Sequence, residues 1–546
     1  MIARVSKVTM FRPGHKRALT ARCLPARFSV MQPPVDSFAA RVLAHAADTP
    51  ERRAVVCDGH PLTYGALAER ALRVAARLRS LGYEPGGNRR VGIISANDLD
   101  VVVVVTGSHF AGLTVVPIPY LIMPDAQARM LDDAGVTIVF HDESHADAAR
   151  AAVAQSCDPA GTALVPIGRS LLDEWLTAAP LDPAAIPDEP EWAADIIYSS
   201  GTTGTPKGIV QSYRVRAEAC ANIARFGVTN GTHLLQTVSI YSNFGIVAVY
   251  LTLWSGGTFH MLRKFAGPAV VGILAAEPIG MAFFAPATMV RTIEAPGFEA
   301  AVRGRPASKL CAGAPLGADQ KRQILSTWPG PLFDLYGQTE TGTLTILSAH
   351  AAPADKLGSV GTLLPTASVK ILDDEGRVLP PDAEGEIAGH TTTLMSGYHG
   401  RADAVAAATW HDESGRRFIR TGDVGRLDAD GYLWLCDRKK DLIISGGYNV
   451  YPADIERVLQ GHPAVLEVAV VGFPSVRWGE TPVAFVTLRD GSEAGEEHLR
   501  EWVNARVASI QRVSLVRLVA ALPSGTMGKI LKRELRHEYA DSIGVL

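Results

Sequence analysis

The sequence predicts an α/β protein: a large N-terminal region with mostly parallel sheets and a β-rich subdomain, followed by a small α+β C-terminal domain. Three observations carry this prediction. Strands alternate with helices through the first part of the chain, short strands and turns dominate from about residue 363 to 435, and a compact helix-and-strand pattern follows residue 441. A chain of 546 residues also exceeds one ordinary domain.

The alternation begins with apolar residues at helical spacing and continues through well-separated apolar runs. The patterns predict helices over 67–78 and 126–131 and strands over 91–94, 114–116 and 136–140. The most apolar window, Val101–Val116, is interrupted by polar residues and glycines and closed by prolines. We therefore expect a buried helix followed by a strand there, and no membrane span.

The later part of the chain predicts the smaller units. Short strands are expected at 369–372, 385–388 and 432–435, then a helix at 453–459, strands at 465–471 and 483–488, and a helix with Leu499, Trp502, Val503 and Val507 on one face. The charged segment Asp437–Asp441 is a candidate hinge or an exposed turn. The predicted domains are a basic, disordered extension (1–33), a large domain (34–437) and a small domain (438–546), with the hinge at 437–441.

Composition indicates a globular cytoplasmic protein. Apolar residues make up 47% and charged residues 20%, and a net charge of −3 gives no sign of nucleic-acid binding. None of the six cysteines is spaced for a zinc site or a redox pair, so we expect reduced thiols. The first 34 residues hold seven basic residues and no acid, typical of a disordered tail, a transit peptide, or an over-long start before Met31.

The segment Tyr198–Gly208 is the strongest local signal. It contains three glycines, five Ser or Thr hydroxyls and one lysine, between two predicted strands. Such a turn suits a polyphosphate, although Lys207 follows Pro206 and the segment is therefore not a Walker A loop. Taken alone, it is also compatible with an ordinary hairpin connection.

Three further segments offer complementary chemistry. In Asp334–Gly342, Tyr336 could stack on a base, Thr339 could bond a phosphate, and Glu340 could hold Mg²⁺. Asp423 follows a glycine and suits ribose hydroxyls, and Lys529 lies on a glycine-rich turn. Each segment alone is also compatible with a structural turn or an exposed lysine.

Taken together, the order and spacing of these segments resemble the adenylate-forming superfamily of acyl- and aryl-CoA synthetases, nonribosomal adenylation domains and firefly-type luciferases. The resemblance extends from about residue 36 to 540 and is strongest to AMP-forming CoA ligases. The matching segments are 198–208, 312–316, 334–342, 385–387, 420–431, 437–441, 445–452 and 528–530.

The resemblance implies that ATP and a carboxylic acid form an acyl-adenylate and pyrophosphate. It assigns Thr339 to the α-phosphate, Glu340 to Mg²⁺, and Lys529 to the carboxylate and α-phosphate. The ATP-binding residues that it implies are Ser199, Ser200, Gly201, Thr202, Thr203, Lys207, Gly313, Ala314, Pro315, Tyr336, Gly337, Asp423 and Arg438.

The resemblance also implies a second step, in which a thiol attacks the acyl-adenylate. The small domain is then mobile and rotates about Lys440. Rotation removes Lys529 and brings a coenzyme A loop into the site. The residues of that loop are Ser445, Gly446, Gly447 and Tyr448.

The acid is the open question. Many CoA ligases have His where Ser242 falls, and amino-acid-activating domains tend to have an Asp that this segment lacks. Ser242 and Asn243 bond either a polar acyl group or their own backbone. The expected acyl-pocket residues are Tyr241, Ser242, Asn243, Phe244, Gly245, Ala312 and Gln338.

The leading hypothesis is an acid:CoA ligase that uses ATP, Mg²⁺ and coenzyme A and acts on a small-molecule carboxylic acid. The second is a stand-alone enzyme that loads a separate carrier protein. The third is a luciferase-like oxygenase or a non-catalytic binding protein.

Overall fold

The computed structural model describes residues 37–168, 171–199, 207–438, 441, 443–445, 448–450, 452–476, 478–507, 511–524 and 530–546. The description covers the backbone alone at Leu171, Ser199, Asp437, Arg438, Ile444, Tyr448 and Asn449. The predicted extension 1–33 lies outside these residues.

The first part of the chain alternates strands with helices, as its apolar periodicity predicts. Its elements are α1 (Phe38–Asp48), β1 (Arg53–Cys57), β2 (His60–Thr63), α2 (Tyr64–Ser80), β3 (Arg90–Ile94), α3 (Leu99–Phe110), β4 (Val115–Pro117), α4 (Pro124–Ala134), β5 (Val136–Asp142), α5 (Ala146–Ala154), β6 (Ala163–Ile167), α6 (Leu171–Trp175), β7 (Ala193–Ser199) and β8 (Lys207–Ser212).

The alternation continues through the middle of the chain. Its elements are α7 (Tyr213–Ala224), β9 (His233–Gln236), α8 (Asn243–Ser255), β10 (Thr258–Met261), α9 (Gly267–Ala276), β11 (Ile279–Phe284), α10 (Pro286–Ile293), α11 (Phe298–Val302), β12 (Ser308–Cys311), α12 (Ala318–Thr327), β13 (Leu332–Gln338), β14 (Gly342–Ser348) and β15 (Thr362–Leu363).

These strands form two sheets. The nine-stranded sheet has the order β15-β14-β13-β12-β11-β9-β10-β1-β2. Its six central strands, β13, β12, β11, β9, β10 and β1, run parallel to one another. In the second, β8 pairs antiparallel with β7, which continues into the parallel series β4-β3-β5-β6. Helix α3 is buried from Asp100 to Phe110 and shares one core with side chains of both sheets. Five consecutive valines, Val101 to Val105, place apolar side chains on every face of this part of the helix, which must therefore be buried.

The β-rich subdomain occupies the predicted region. Its elements are β16 (Ala367–Leu372), β17 (Gly385–Thr391), β18 (Gly397–Tyr398), α13 (Ala402–Ala408), β19 (Thr409–His411), β20 (Arg417–Leu427) and β21 (Leu433–Arg438). Five of these strands form an antiparallel sheet, in which β20 pairs with β17, β19 and β21. Strand β18 instead joins the second sheet beside β8, which brings Tyr398 next to Ile209.

The C-terminal region forms an α+β unit with its own core. Its elements are β22 (Ile443–Ser445), β23 (Tyr448–Val450), α14 (Pro452–Gln460), β24 (Val465–Ser475), β25 (Gly479–Leu488), α15 (Glu496–Asn504), β26 (Leu515–Leu518), α16 (Lys532–Glu538) and α17 (Ala540–Ile543). Alternate residues of β24 enter two different clusters, with Val468 and Val470 beneath α14 and α15, and Val471 and Phe473 near α16. The sheet is therefore covered on both faces.

The predicted helices and strands are present in the structure, with ends that differ by up to four residues, and one residue predicted on a helix lies outside it. Helix α15 ends at Asn504, so Val507 lies beyond it, although its side chain still packs against the same core. The five cysteines among the described residues are free thiols. No helix in the described part of the chain is long and apolar enough to span a bilayer.

Candidate functional site

The predicted site segments follow the carboxyl ends of neighbouring parallel strands. Strands β9, β11, β12 and β13 are adjacent in the nine-stranded sheet. The acyl segment follows β9, Ala312–Pro315 follows β12, and Thr339–Glu340 follows β13. Carboxyl ends of parallel strands meet at one edge of the sheet, where α/β folds form their ligand sites.

The turn that carries Thr339 and Glu340 is tightly constrained. It joins β13 to β14, and a Cβ on Gly337 would lie 2.1 Å from the carbonyl oxygen of Gly342, so only glycine fits there. The backbone N–H of Gln338 donates to Thr341 Oγ1 at 3.0 Å. This turn therefore presents its side chains from a fixed backbone.

Contacts from other elements hold the same turn. Gln211 Nε2, on β8, donates to the carbonyl oxygen of Thr339 at 2.6 Å. The backbone N–H of Met395 donates to the carbonyl oxygen of Glu340 at 2.9 Å. Thr391 Oγ1 donates to the carbonyl oxygen of Thr341 at 2.5 Å. Strand β8 and the segment 391–395 thus satisfy the backbone oxygens of three consecutive turn residues.

Tyr398 connects the turn to Lys207. Its hydroxyl donates to Glu340 Oε1 at 3.2 Å, and Lys207 Nζ lies 5.1 Å from its ring centroid. Burial and the neighbouring Glu340 carboxylate raise the pKa of Tyr398 well above its usual value, so the phenol stays protonated and donates. A cation and a carboxylate from distant segments are therefore joined through one aromatic side chain.

Asp423 is bonded to the strand that precedes the turn. The Tyr336 hydroxyl and Gln338 Nε2 each donate to Asp423 Oδ2 at 2.9 Å. Asp423 is also the register partner of Arg438 across β20 and β21, and ribose binding by these residues stays a prediction. Tyr336 packs with the core of the β-rich subdomain, which fixes its hydroxyl on Asp423; its stacking on adenine stays a prediction.

The expected adenine segment is an irregular loop between β12 and α12. Gly313 has a φ of +93°, a conformation that favours glycine, and both Gly313 and Pro315 are exposed. Ala312 and Ala314 are partly buried beside them. The loop thus offers small side chains and accessible backbone next to the carboxyl end of β13.

The acyl segment is shaped by the start of α8. A Cβ on Gly245 would lie 2.0 Å from the carbonyl oxygen of Ser239, so glycine is required there. Tyr241 packs edge-on against Tyr120, and Phe244 stacks on Phe283. The acyl segment is therefore packed mainly through aromatic side chains.

The two polar residues of the acyl segment have partners within the protein. Ser242 caps α8, because its Oγ accepts from the N–H of Gly245 at 3.0 Å and donates to the carbonyl oxygen of Ser239 at 2.8 Å. Of the two alternatives left open by the sequence, local backbone bonding is thus the one observed for Ser242. Asn243 Oδ1 accepts from Arg216 Nη1 at 2.7 Å, and Arg216 forms a fully buried ion pair with Asp195.

Several predicted residues lie outside the described part of the chain. These are Ser200, Gly201, Thr202, Thr203, Lys440, Gly446, Gly447 and Lys529. The backbone of Ser445 is the register partner of Tyr448 in a short hairpin. The roles of these residues in phosphate binding, hinge rotation and coenzyme A binding stay predictions.

Sequence reasoning missed Gln211, Tyr398 and Arg216. Gln211 gave a weak signal, since it is a polar residue that directly follows the apolar pair Ile209 and Val210 in β8. Arg216 and Tyr398 gave none, because their importance depends on partners far away in the chain.

Comparison with known proteins agrees with this geometry. Residues 42–399 match the family model described as AMP-binding enzyme, and residues 454–529 match the AMP-binding enzyme C-terminal domain. A feruloyl-CoA synthase from an Amycolatopsis species is 32% identical over 496 residues, covering 90% of this chain and 96% of that protein. A fatty acid–[acyl-carrier-protein] ligase, ScoC from Streptomyces coeruleorubidus, is 29% identical over 506 residues, covering 91% and 95%.

Solved structures show the same similarity. The ATP-bound crystal structure of MatB from Rhodopseudomonas palustris is similar to this protein with a TM-score of 0.83 and 28% identity, covering 93% of this chain and 99% of that one. The fold, the arrangement of the site segments and the two family matches lead to one conclusion: the chain belongs to the family of AMP-binding enzymes.

Proposed function

We propose that this protein is an AMP-forming acid:CoA ligase. It activates a carboxylic acid with ATP and transfers the acyl group to the thiol of coenzyme A. One observation carries the proposal: the turn Thr339–Glu340 is joined through Tyr398 to Lys207, and its neighbour Gln338 is bonded to Asp423. Groups suited to phosphate, metal and ribose thus form one connected network.

In the first step, a carboxylate oxygen bonds to the α-phosphorus while the bridge to the β-phosphate breaks and pyrophosphate leaves. Charge builds on phosphoryl oxygens, so catalysis rests on positioning and electrostatics. Lys207 is the cation that binds the leaving phosphates, and Thr339 contacts the α-phosphate. Lys529, from the C-terminal unit, neutralises the charge that peaks in the transition state.

The residues at the turn suit Mg²⁺ that enters with ATP. Glu340 supplies a carboxylate, and Mg²⁺ prefers such hard oxygen donors. When bound, the ion would offset phosphate charge. Tyr398 orients the Glu340 carboxylate for that role through its hydrogen bond.

In the second step, the thiol sulfur attacks the acyl carbonyl, AMP leaves, and the thiol proton is released. We assign the exchange between the two steps to rotation of residues 438–546 about Lys440. The separate core of this C-terminal region supports its motion as a unit, because its apolar side chains are buried within it.

Carrier-protein loading is the second candidate. It is favoured by the similarity to a fatty acid–[acyl-carrier-protein] ligase. Both activities share the adenylation step and differ in the thiol acceptor alone, so the acceptor has to be decided by experiment.

The test uses the purified full-length chain with ATP, Mg²⁺ and a panel of short, medium, long, aromatic and dicarboxylic acids. Pyrophosphate release that depends on one class of acid, followed by AMP release on addition of coenzyme A, is the expected result. Glu340→Gln should abolish both signals. Glu375→Gln serves as the matched control, since Glu375 is exposed and pairs with Arg377.

Two outcomes would contradict the proposal. If thioester forms with a holo-carrier protein and never with coenzyme A, the acceptor assignment is wrong. If no acid supports pyrophosphate release while the protein still binds ATP, the protein is a nucleotide-binding protein and no ligase.

A further inference from the structure

His233, His260 and Glu277 lie together on the nine-stranded sheet: His233 and Glu277 are at its amino edge, and His260 is two residues further along its strand. His233 begins β9, His260 lies in the adjacent β10, and Glu277 precedes β11. One potential metal-ligand atom from each of the three side chains lies within 4.8 Å of the other two. Nothing in the acid-activation chemistry uses these residues.

The distances between the side-chain atoms suit a tetrahedral ion. His233 Nδ1 lies 3.0 Å from His260 Nε2 and 3.5 Å from Glu277 Oε2. Two ligands bound at zinc–nitrogen or zinc–oxygen distances would be separated by about 3.3 Å in a tetrahedron. Shifts of a few tenths of an ångström would therefore bring each of these two pairs to the separation of tetrahedral ligands.

The cluster is partly buried and partly open to solvent. His260 is 1% exposed. The side chains of His233 and Glu277 are 18% and 21% exposed, so an ion can reach the cluster from solvent. Two imidazoles and one carboxylate form a donor set that suits zinc and other divalent transition metals better than Mg²⁺.

Arg53 is the competing partner. Its guanidinium binds both oxygens of Glu277 at 2.8 Å, and its side chain is 39% exposed. A metal ion would bring to the carboxylate the positive charge that Arg53 supplies in its absence. For an ion to bind, Arg53 has to release Glu277 and turn toward solvent, so replacing Arg53 should strengthen metal binding.

We propose that His233, His260 and Glu277 form a site for a divalent transition-metal ion, represented by Zn²⁺. The ion would link β9, β10 and the entry to β11 and so stabilise the amino edge of the sheet. An ion that binds the folded chain and has less affinity for the unfolded one raises the melting temperature.

The test is a Zn²⁺ titration of the untagged, chelator-treated full-length protein by calorimetry, with Co²⁺ absorption as a report on coordination. Wild type should bind Zn²⁺ and show the intense visible bands of four- or five-coordinate Co²⁺. His233→Asn and Glu277→Gln should each weaken Zn²⁺ binding at least about tenfold. Arg53→Gln should tighten it, whereas His60→Asn, which changes an exposed histidine outside the cluster, should leave it unchanged.

His260→Asn is a weaker test because this side chain is buried, so the partly exposed His233 and Glu277 decide the outcome. Wild-type protein that binds no Zn²⁺ overturns the proposal. So does wild-type Zn²⁺ affinity in both His233→Asn and Glu277→Gln. Weaker binding in Arg53→Gln would also overturn it, because the arginine would then support the ion and would not compete with it.

Discussion

Tyr398→Phe tests whether the link between Lys207 and Glu340 contributes to ATP use. The substitution removes the hydroxyl that donates to Glu340 Oε1 at 3.2 Å. It keeps the aromatic ring that lies 5.1 Å from Lys207 Nζ. We expect a less well-oriented Glu340 carboxylate and weaker binding of magnesium ATP, with the fold intact because Tyr398 is only partly buried.

The expected magnitude follows from the type of bond. A hydrogen bond to a charged group contributes about 1.5–3 kcal/mol, and the long distance favours the lower end. A loss of about 1.5 kcal/mol corresponds to about a tenfold fall in kcat/KM for ATP. Tyr398→Leu also removes the cation–π contact, about 0.5 kcal/mol more, and should lower kcat/KM about 30-fold.

The assay is pyrophosphate release at varied ATP and Mg²⁺, with the acid saturating. Tyr83→Phe is the matched control: it removes a hydroxyl that bonds Thr137 Oγ1 at 2.9 Å, in a part of the chain that contributes no residue to the candidate site. The reasoning is refuted if Tyr398→Phe and Tyr398→Leu both keep kcat/KM for ATP within twofold of wild type. The reasoning also fails if Tyr83→Phe loses as much activity as Tyr398→Phe.

Lys529→Ala should abolish acyl-adenylate formation and spare thioester formation from supplied acyl-adenylate; equal loss of both half-reactions, measured separately, would contradict its role. Lys440→Pro should slow thioester formation more than adenylation, because a fixed φ hinders rotation, and single-turnover kinetics of each step will show this. Asp423→Asn should raise the KM for ATP about tenfold while leaving the KM for the acid unchanged. Arg216→Met should lower the free energy of unfolding by about 3–5 kcal/mol in urea denaturation, because it leaves the buried Asp195 carboxylate without its cation.

Most individual elements of the fold could be predicted because their apolar periodicity is local. The spacing of Leu67, Ala71, Val74 and Leu78 predicts α2, and all four side chains are buried. What the sequence could not predict is which strands share a sheet. The two large sheets are built from interleaved parts of the chain, and the pairing of β18 with β8 depends on contacts that no local pattern encodes.

Some residues of the candidate site could likewise be predicted from the sequence, and others could not. Glu340 and Asp423 could be predicted because polar residues next to strand ends and glycines are typical of ligand sites. Gln211 could not, since its bond to the Thr339 carbonyl oxygen joins residues 128 positions apart. Local sequence patterns thus predict candidate groups for ATP binding, whereas the side chains that hold these groups depend on the tertiary structure.

The acyl segment shows why the identity of the acid is harder to predict than the chemistry. Ser242 and Asn243 are the polar residues that a substrate could have contacted, but Ser242 caps α8 and Asn243 bonds Arg216. Replacing a serine cap costs about 1 kcal/mol, so Ser242 is constrained by the fold whatever the acid is. If this segment lines the acyl pocket, we expect selectivity to depend more on the aromatic side chains of Tyr241 and Phe244 than on Ser242. A histidine introduced at Ser242 would change the helix start together with the pocket, so its effect on acid preference could not be attributed to substrate contact alone.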